Sequence, residues 1–114
     1  SEEQIREMAA SGHVHFGSHT KSHRKLYALE SDEMEIELSE SRRRIEALTG
    51  MKVTALAYPN GVCDAAAELA AVENDYFYCY TTDSPSEHYY DNTRLPRSYV
   101  VRDMDMADFL KILE

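Results

Sequence analysis

Val53-Thr54-Ala55-Leu56-Ala57-Tyr58-Pro59-Asn60-Gly61 is the stretch on which the fold turns. Val53 to Ala57 is a compact apolar run that suits a buried strand, and Tyr58-Pro59-Asn60-Gly61 breaks it sharply. On its N-terminal side, Ser31 to Thr49 sets Met34, Leu38, Ile45 and Leu48 on one helical stripe, with Ser41 completing the spacing. Ser31 is the expected N-cap, Asp32 and Glu33 suit the positive end of the helix dipole, and Gly50 ends the helix. Glu40 and Arg44 form an i,i+4 pair, and Arg42-Arg43-Arg44 reads as a solvated face. On the C-terminal side, Asp64 to Asn74 is an alanine-rich helix with Leu69 and Val72 available to pack.

Working outward, Ser1 to Ser11 carries Ile5, Met8 and Ala9 at helical spacing before a Gly12 stop. His13 to Gly17 alternates as a short strand does, which places His13 and His15 in packing or hydrogen-bonding roles near the sheet. Tyr76 to Thr81 is an aromatic-rich strand, Thr82 to Pro96 a loop, and Ser98 to Val101 an expected fourth strand. Asp103 or Asp105 then caps a last helix containing Met106, Phe109, Leu110 and Leu113. Such alternation predicts an α/β fold: a parallel sheet with covering helices, as in an α/β barrel or an open doubly wound sheet.

The 114 residues suffice for one domain. A net charge of -9 gives the electrostatic term for nucleic-acid binding the wrong sign, so no nucleic acid is expected as a partner. No run approaches the roughly 20 apolar residues of a membrane span. Cys63 and Cys79 are too few and too unpatterned for a disulfide framework and read as free thiols. The chain starts at Ser1 and enters helical sequence at once, which suggests a fragment or a processed chain.

Candidate chemistry lies in His19-Thr20-Lys21-Ser22-His23, where two imidazoles are spaced i and i+4 just after the first expected strand. Neutral imidazole is the commonest protein ligand for zinc, and a catalytic site needs about three protein ligands with an open position. A bare HxxxH equally describes two solvated loop side chains. In parallel α/β folds, however, ligands bind where the loops leave the C-terminal ends of the strands. The loops after the three expected strands begin at Ser18-His19, Tyr58-Pro59-Asn60 and Thr82-Asp83, and all fall on that edge.

Taken in order, these blocks resemble the polysaccharide deacetylases of carbohydrate esterase family 4, the NodB-homology domain. Gly17-Ser18-His19-Thr20-Lys21-Ser22-His23 is similar to the family's H-[ST]-x-x-H motif. The helix ending in Leu48-Thr49-Gly50, the run Val53 to Gly61, Thr81-Thr82-Asp83 and Leu95-Pro96-Arg97 are similar to later blocks. The resemblance implies a deformed (β/α) barrel and metal-dependent hydrolysis of a linear amide C–N bond, removing N-acetyl groups from a polysaccharide. It implies a divalent metal, zinc first, held by His19 and His23. It makes the Asn60 backbone N–H the oxyanion donor, and Tyr58, Pro59 and Asp83 substrate contacts. A cell-envelope or secreted location is suggested by the resemblance alone.

Three departures qualify that picture. Nothing before His13 matches the family's aspartate-rich first motif, because Glu2, Glu3 and Glu7 belong to a helix. Ala57 and Asn60 stand where many members carry an arginine and an aromatic. The leucine-histidine motif that supplies the general acid is absent, since the one histidine after His23 is His88, which reads as an exposed loop residue. The expectation is therefore a partial domain over residues 1–114, part of a barrel lacking its first strands and inactive alone. Self-association through an uncovered sheet edge is expected with it. The alternative is a non-catalytic glycan- or protein-binding module on the same scaffold.

Overall fold

A computed structural model describes residues 1–83 and 91–113; His88 lies outside them. The element order is α1 (Glu2–Ala10), a 3-10 turn (Leu26–Ala28), α2 (Ser31–Thr49), β1 (Ala55–Ala57), a second 3-10 turn (Pro59–Gly61), α3 (Ala65–Glu73), β2 (Tyr78–Tyr80) and α4 (Met106–Ile112). β1 and β2 pair in parallel, with Ala55, Leu56 and Ala57 opposite Tyr78, Cys79 and Tyr80. Single parallel bridges extend this pair on both sides, Ser18 to Leu56 and Tyr80 to Leu95. The backbone at 18, β1, β2 and the backbone at 95 therefore run side by side in one direction. This is an α/β fold with a small parallel sheet and covering helices, as the alternation of elements predicts.

One face of the sheet is packed. Leu56 and Cys79 point from mid-strand into a core with Leu26, Met34 and Leu38 from the α2 side, Ala67 and Ala71 of α3, and Val53, Tyr58 and Tyr76. α2 is the main cover. Its Met34, Leu38 and Ser41 are buried and Ile45 is half-buried, so the stripe read from the sequence is the face that docks. Glu30, rather than Ser31, precedes its first turn, and Gly50 closes it at φ 69° with a 2.8 Å bond to the Glu46 carbonyl. Asp64 caps α3, and Asp105 rather than Asp103 caps α4, each side chain accepting a backbone N–H three residues on.

Several expectations are corrected. His13 to Gly17 forms no strand among the described residues: His13 lies in a bend, residues 14–17 are irregular, and only Ser18 bridges β1. The alternation survives without a ladder: Val14 and Phe16 are half-buried while His13 and His15 are exposed, so neither histidine packs at the sheet. The fourth parallel segment sits at Leu95, not at Ser98 to Val101, where Tyr99, Val100 and Val101 are exposed. α3 docks through Ala67 and Ala71, one turn apart, while Leu69 and Val72 face outward, because small side chains let the helix lie close to the core. Arg44 reaches Glu2 of α1 rather than Glu40, which pairs with Lys21. Arg42 is not part of a solvated face either. Its Nη1 donates to the Asn74 carbonyl and to Asp75 Oδ2, both at 2.7 Å, tying α2 to the end of α3.

Candidate active site

The parallel register carries the C-terminal ends of all four segments to one edge. Ser18 N donates to Ala55 O and Ala57 N to Ser18 O, at 2.8 and 2.9 Å, which fixes His19 just beyond the end of β1. Tyr58 N donates to Tyr80 O at 3.0 Å, and Thr82 N to Gly61 O at 3.2 Å, joining the 58–61 turn to the segment after β2. Arg97 Nε donates to Thr81 O at 2.9 Å and brings in the fourth segment. An open cavity of about 410 Å³ lies at this junction, lined by His19, His23, Tyr58, Asn60, Gly61, Thr82, Arg97 and Tyr99.

The two imidazoles lie edge to face, with ring centroids 4.7 Å apart. His19 Nδ1 is 2.7 Å from the Ala57 carbonyl oxygen, an atom that only accepts, so Nδ1 carries a proton and Nε2 is the nitrogen left to face a ligand. A carbonyl on one ring nitrogen is the usual support for a histidine that ligates a metal through the other. The loop between the rings is tightly built: Thr20 and His23 both lie in the left-handed region, at φ 66° and 60°. His23 N donates to Thr20 Oγ1, and Thr20 N to Ser18 Oγ, whose hydroxyl meets Ser41 of α2 at 2.8 Å. In the facing turn Asn60 and Gly61 are also left-handed, at φ 57° and 69°.

Not every candidate residue reaches the cavity. Tyr58 is among the lining residues, with its side chain fully buried and its hydroxyl donating to the Thr93 carbonyl at 3.0 Å. Burial pushes its phenol pKa well above the ordinary value. Pro59 is buried as the first residue of the 3-10 turn. Asp83 is exposed, lies outside the lining, and faces Arg94 at 3.9 Å. Thr82, Arg97 and Tyr99 also line the cavity; Thr82 and Arg97 belong to blocks already legible in the sequence, whereas only the register identifies Tyr99. A second cavity of about 520 Å³ opens on the other side of His19, floored by Ile45 and Leu48 of α2, but it lacks His23 and Asn60.

The donor chemistry of the two rings fits part of a metal site, and no cluster of three His, Cys, Asp or Glu side chains completes one among the described residues. Arg97 and the Asn60 N–H, the one N–H of the 58–61 turn without a backbone acceptor among the described residues, add donors suited to an oxygen that gains negative charge.

The chain is similar to a polysaccharide deacetylase of Bacillus anthracis at 25% identity and a TM-score of 0.89, covering 100% of this chain and 36% of that one. A Bacillus cereus polysaccharide deacetylase gives 24% identity and a TM-score of 0.89 with the same coverage. A Streptococcus pyogenes deacetylase in complex with acetate gives 21% and 0.86, covering 100% of this chain and 50% of its own. The chain thus spans between a third and a half of the length of these structures. None of the curated proteins searched matches it. The family described as polysaccharide deacetylase matches residues 1–79, well over half of the sequence, and the chain belongs to that family.

Proposed function

We propose that this chain forms part of a metal-dependent hydrolase that removes N-acetyl groups from a polysaccharide, with His19 and His23 as metal ligands. The observation that carries this reading is the shared cavity: two imidazoles 4.7 Å apart, one with its Nδ1 committed to a carbonyl, beside the 58–61 turn. A divalent ion bound there, zinc by the preference of imidazole, would supply Lewis acidity and water made acidic enough to ionise near neutrality. The protein's own contribution is positional. His19 is oriented by Ala57 O, and the Asn60 N–H, which has no backbone acceptor among the described residues, is placed to donate to the acyl oxygen as it gains charge. Tyr99, two-thirds exposed at the cavity rim, offers a face for a sugar ring.

In this reading the four parallel segments are an arc of a deformed (β/α) barrel whose first strands lie outside residues 1–114. The aspartate ligand and the general base come from there, and this chain alone is inactive. The unpaired backbone of residues 14–17 offers an edge for a second copy.

Cobalt titration followed by visible absorption tests the metal pair. Binding that is micromolar or weaker and is lost in His19→Ala and His23→Ala is expected of two ligands. Acetate release from an N-acetylglucosamine polymer by the full-length protein, abolished by chelator and restored by zinc, tests the reaction. Cobalt binding without acetate release would replace the hydrolase with a non-catalytic glycan-binding module.

A further inference from the structure

Glu37 lies on the face of α2 that packs against the fold and is only 5% exposed, an unusual place for a carboxylate. Such a group is retained only when its oxygens are hydrogen-bonded. All its cross-element bonds run to one place, the loop between the two histidines. Glu37 Oε2 accepts from Ser22 N at 2.8 Å, Oε1 accepts from the Ser22 hydroxyl, and the Glu37 backbone carbonyl accepts from Lys21 N at 3.0 Å. We infer that Glu37 is a positioning residue, which clamps the 20–23 loop to α2 so that the His23 ring stays against the His19 ring.

The rest of the loop's bonding explains why one residue matters so much. His19 is held to the sheet independently, through Ala57 O. Among the described residues His23 has no such anchor: its backbone N–H goes to Thr20, within the same loop, and its backbone sits at φ 60°. A left-handed conformation at a non-glycine residue costs about 1–3 kcal/mol and persists only where surrounding contacts enforce it. From α2 the loop is held by the buried bonds to Glu37 and by an exposed Lys21–Glu40 ion pair, of which only the former are shielded from water and reach Ser22, next to His23. Burial raises the Glu37 pKa, but the bonds from Ser22, Thr20 and Lys21 outweigh it and keep the carboxyl below its ordinary value, so it is ionised at neutral pH.

This inference rests on the metal-ligand reading for its use but not for its geometry, so the test has one readout for each. In the metal-free protein, Glu37→Ala should abolish the nuclear Overhauser effect between the His19 and His23 rings and speed exchange of the Ser22 amide by at least about tenfold. In the same variant, cobalt affinity should fall about 10- to 100-fold, as on loss of other ligand supports. Glu37→Gln should restore both readouts to within a few-fold of wild type. Its amide oxygen still accepts from Ser22 N, and its NH2 can donate to the Ser22 hydroxyl. Ser22→Ala removes one arm of the clamp from an exposed position and should give an intermediate effect even if Glu37→Ala fails to fold. An unchanged ring-to-ring effect in Ser22→Ala and in folded Glu37→Ala overturns the inference. Loss of that effect in a protein whose wild type never binds cobalt would sustain the clamp and overturn the metal reading instead.

Discussion

Replacing Gly61 by alanine probes the contact that holds the Asn60 turn against the third loop. A Cβ added at Gly61 would stand 2.1 Å from Thr82 Oγ1, 2.2 Å from Cγ2 and 2.5 Å from Cβ. Rotating the threonine moves its two γ atoms but leaves its Cβ in place, so the 58–61 turn and the segment at 82 must separate. The Thr82 N to Gly61 O bond is lost with that movement. Two costs add. Alanine at the Gly61 φ of 69° is disfavoured by about 1–2 kcal/mol, and forcing apart a packed contact costs about 1–3 kcal/mol. The sum of about 2–5 kcal/mol corresponds to roughly 8–20 °C in Tm, at about 4 °C per kcal/mol for a chain of this size. In the double variant Gly61→Ala with Thr82→Gly the steric part vanishes and the backbone part remains. Urea or thermal unfolding followed by circular dichroism should therefore show a favourable coupling of about 1–3 kcal/mol between the two sites. Strict additivity, or a Gly61→Ala midpoint within about 2 °C of wild type, would refute the placement of this turn against Thr82.

Other outcomes follow from the same coordinates. Glu33 and Asp75 are held below their ordinary pKa by hydrogen bonds from Arg24 and Arg42, and Glu37 by bonds from its loop that outweigh its burial. Each folded-state pKa lies below the unfolded one, so each contribution is complete above the carboxylate range, at about 4, and disappears as pH falls through the lowered values. Tm at pH 3 should lie below Tm at pH 6, with a shallower fall in Glu37→Gln; a flat profile in wild type would contradict this. Burial pushes the Cys63 thiol up to about 11, so iodoacetamide should label it on the order of a hundredfold more slowly than a free thiol at pH 8, as mass spectrometry would show. Light scattering across a concentration series should reveal dimers or larger species through the 14–17 edge, and a monomer at every concentration would exclude them.

The elements that declared themselves in the sequence are those whose pattern is local. The α2 stripe works because Met34, Leu38, Ser41 and Ile45 recur at helical spacing on the face that meets the sheet. α3 is harder to read because, apart from Glu68 and Glu73, its apolar residues are spread around the helix without a stripe, and small residues take the buried face. Arg42 looked like one of three equivalent surface cations; its partners at Asn74 and Asp75 are more than thirty residues away and nothing local announces them. Glu37, by contrast, left a readable trace, since it occupies the turn between Met34 and Ser41 on the buried stripe, where a carboxylate needs a reason to be. In the candidate site, His19, His23, Asn60 and the loop at Thr82 could be nominated from loop positions, whereas Tyr99 depends on the register between β1, β2 and the segment at 95.

The distribution of backbone strain ties fold to site. Among the described residues four that are not glycine have positive φ, and three of them, Thr20, His23 and Asn60, belong to the two loops that face each other across the cavity. Unconstrained loops would relax such conformations, which cost free energy at each position. Here each loop is fixed from outside: the first by Glu37, Ser41 and Ala57, the second by Tyr80 and by the packing of Gly61 on Thr82. Part of the stability gained by burying α2 against the sheet thereby offsets the strain, and the result is a pair of imidazoles and the Asn60 N–H held in place before any ligand arrives. Preorganisation of that kind lets a site stabilise developing charge without rearranging during the reaction. The sheet supplies the location of the site; α2, although it lines none of the cavity, supplies its rigidity.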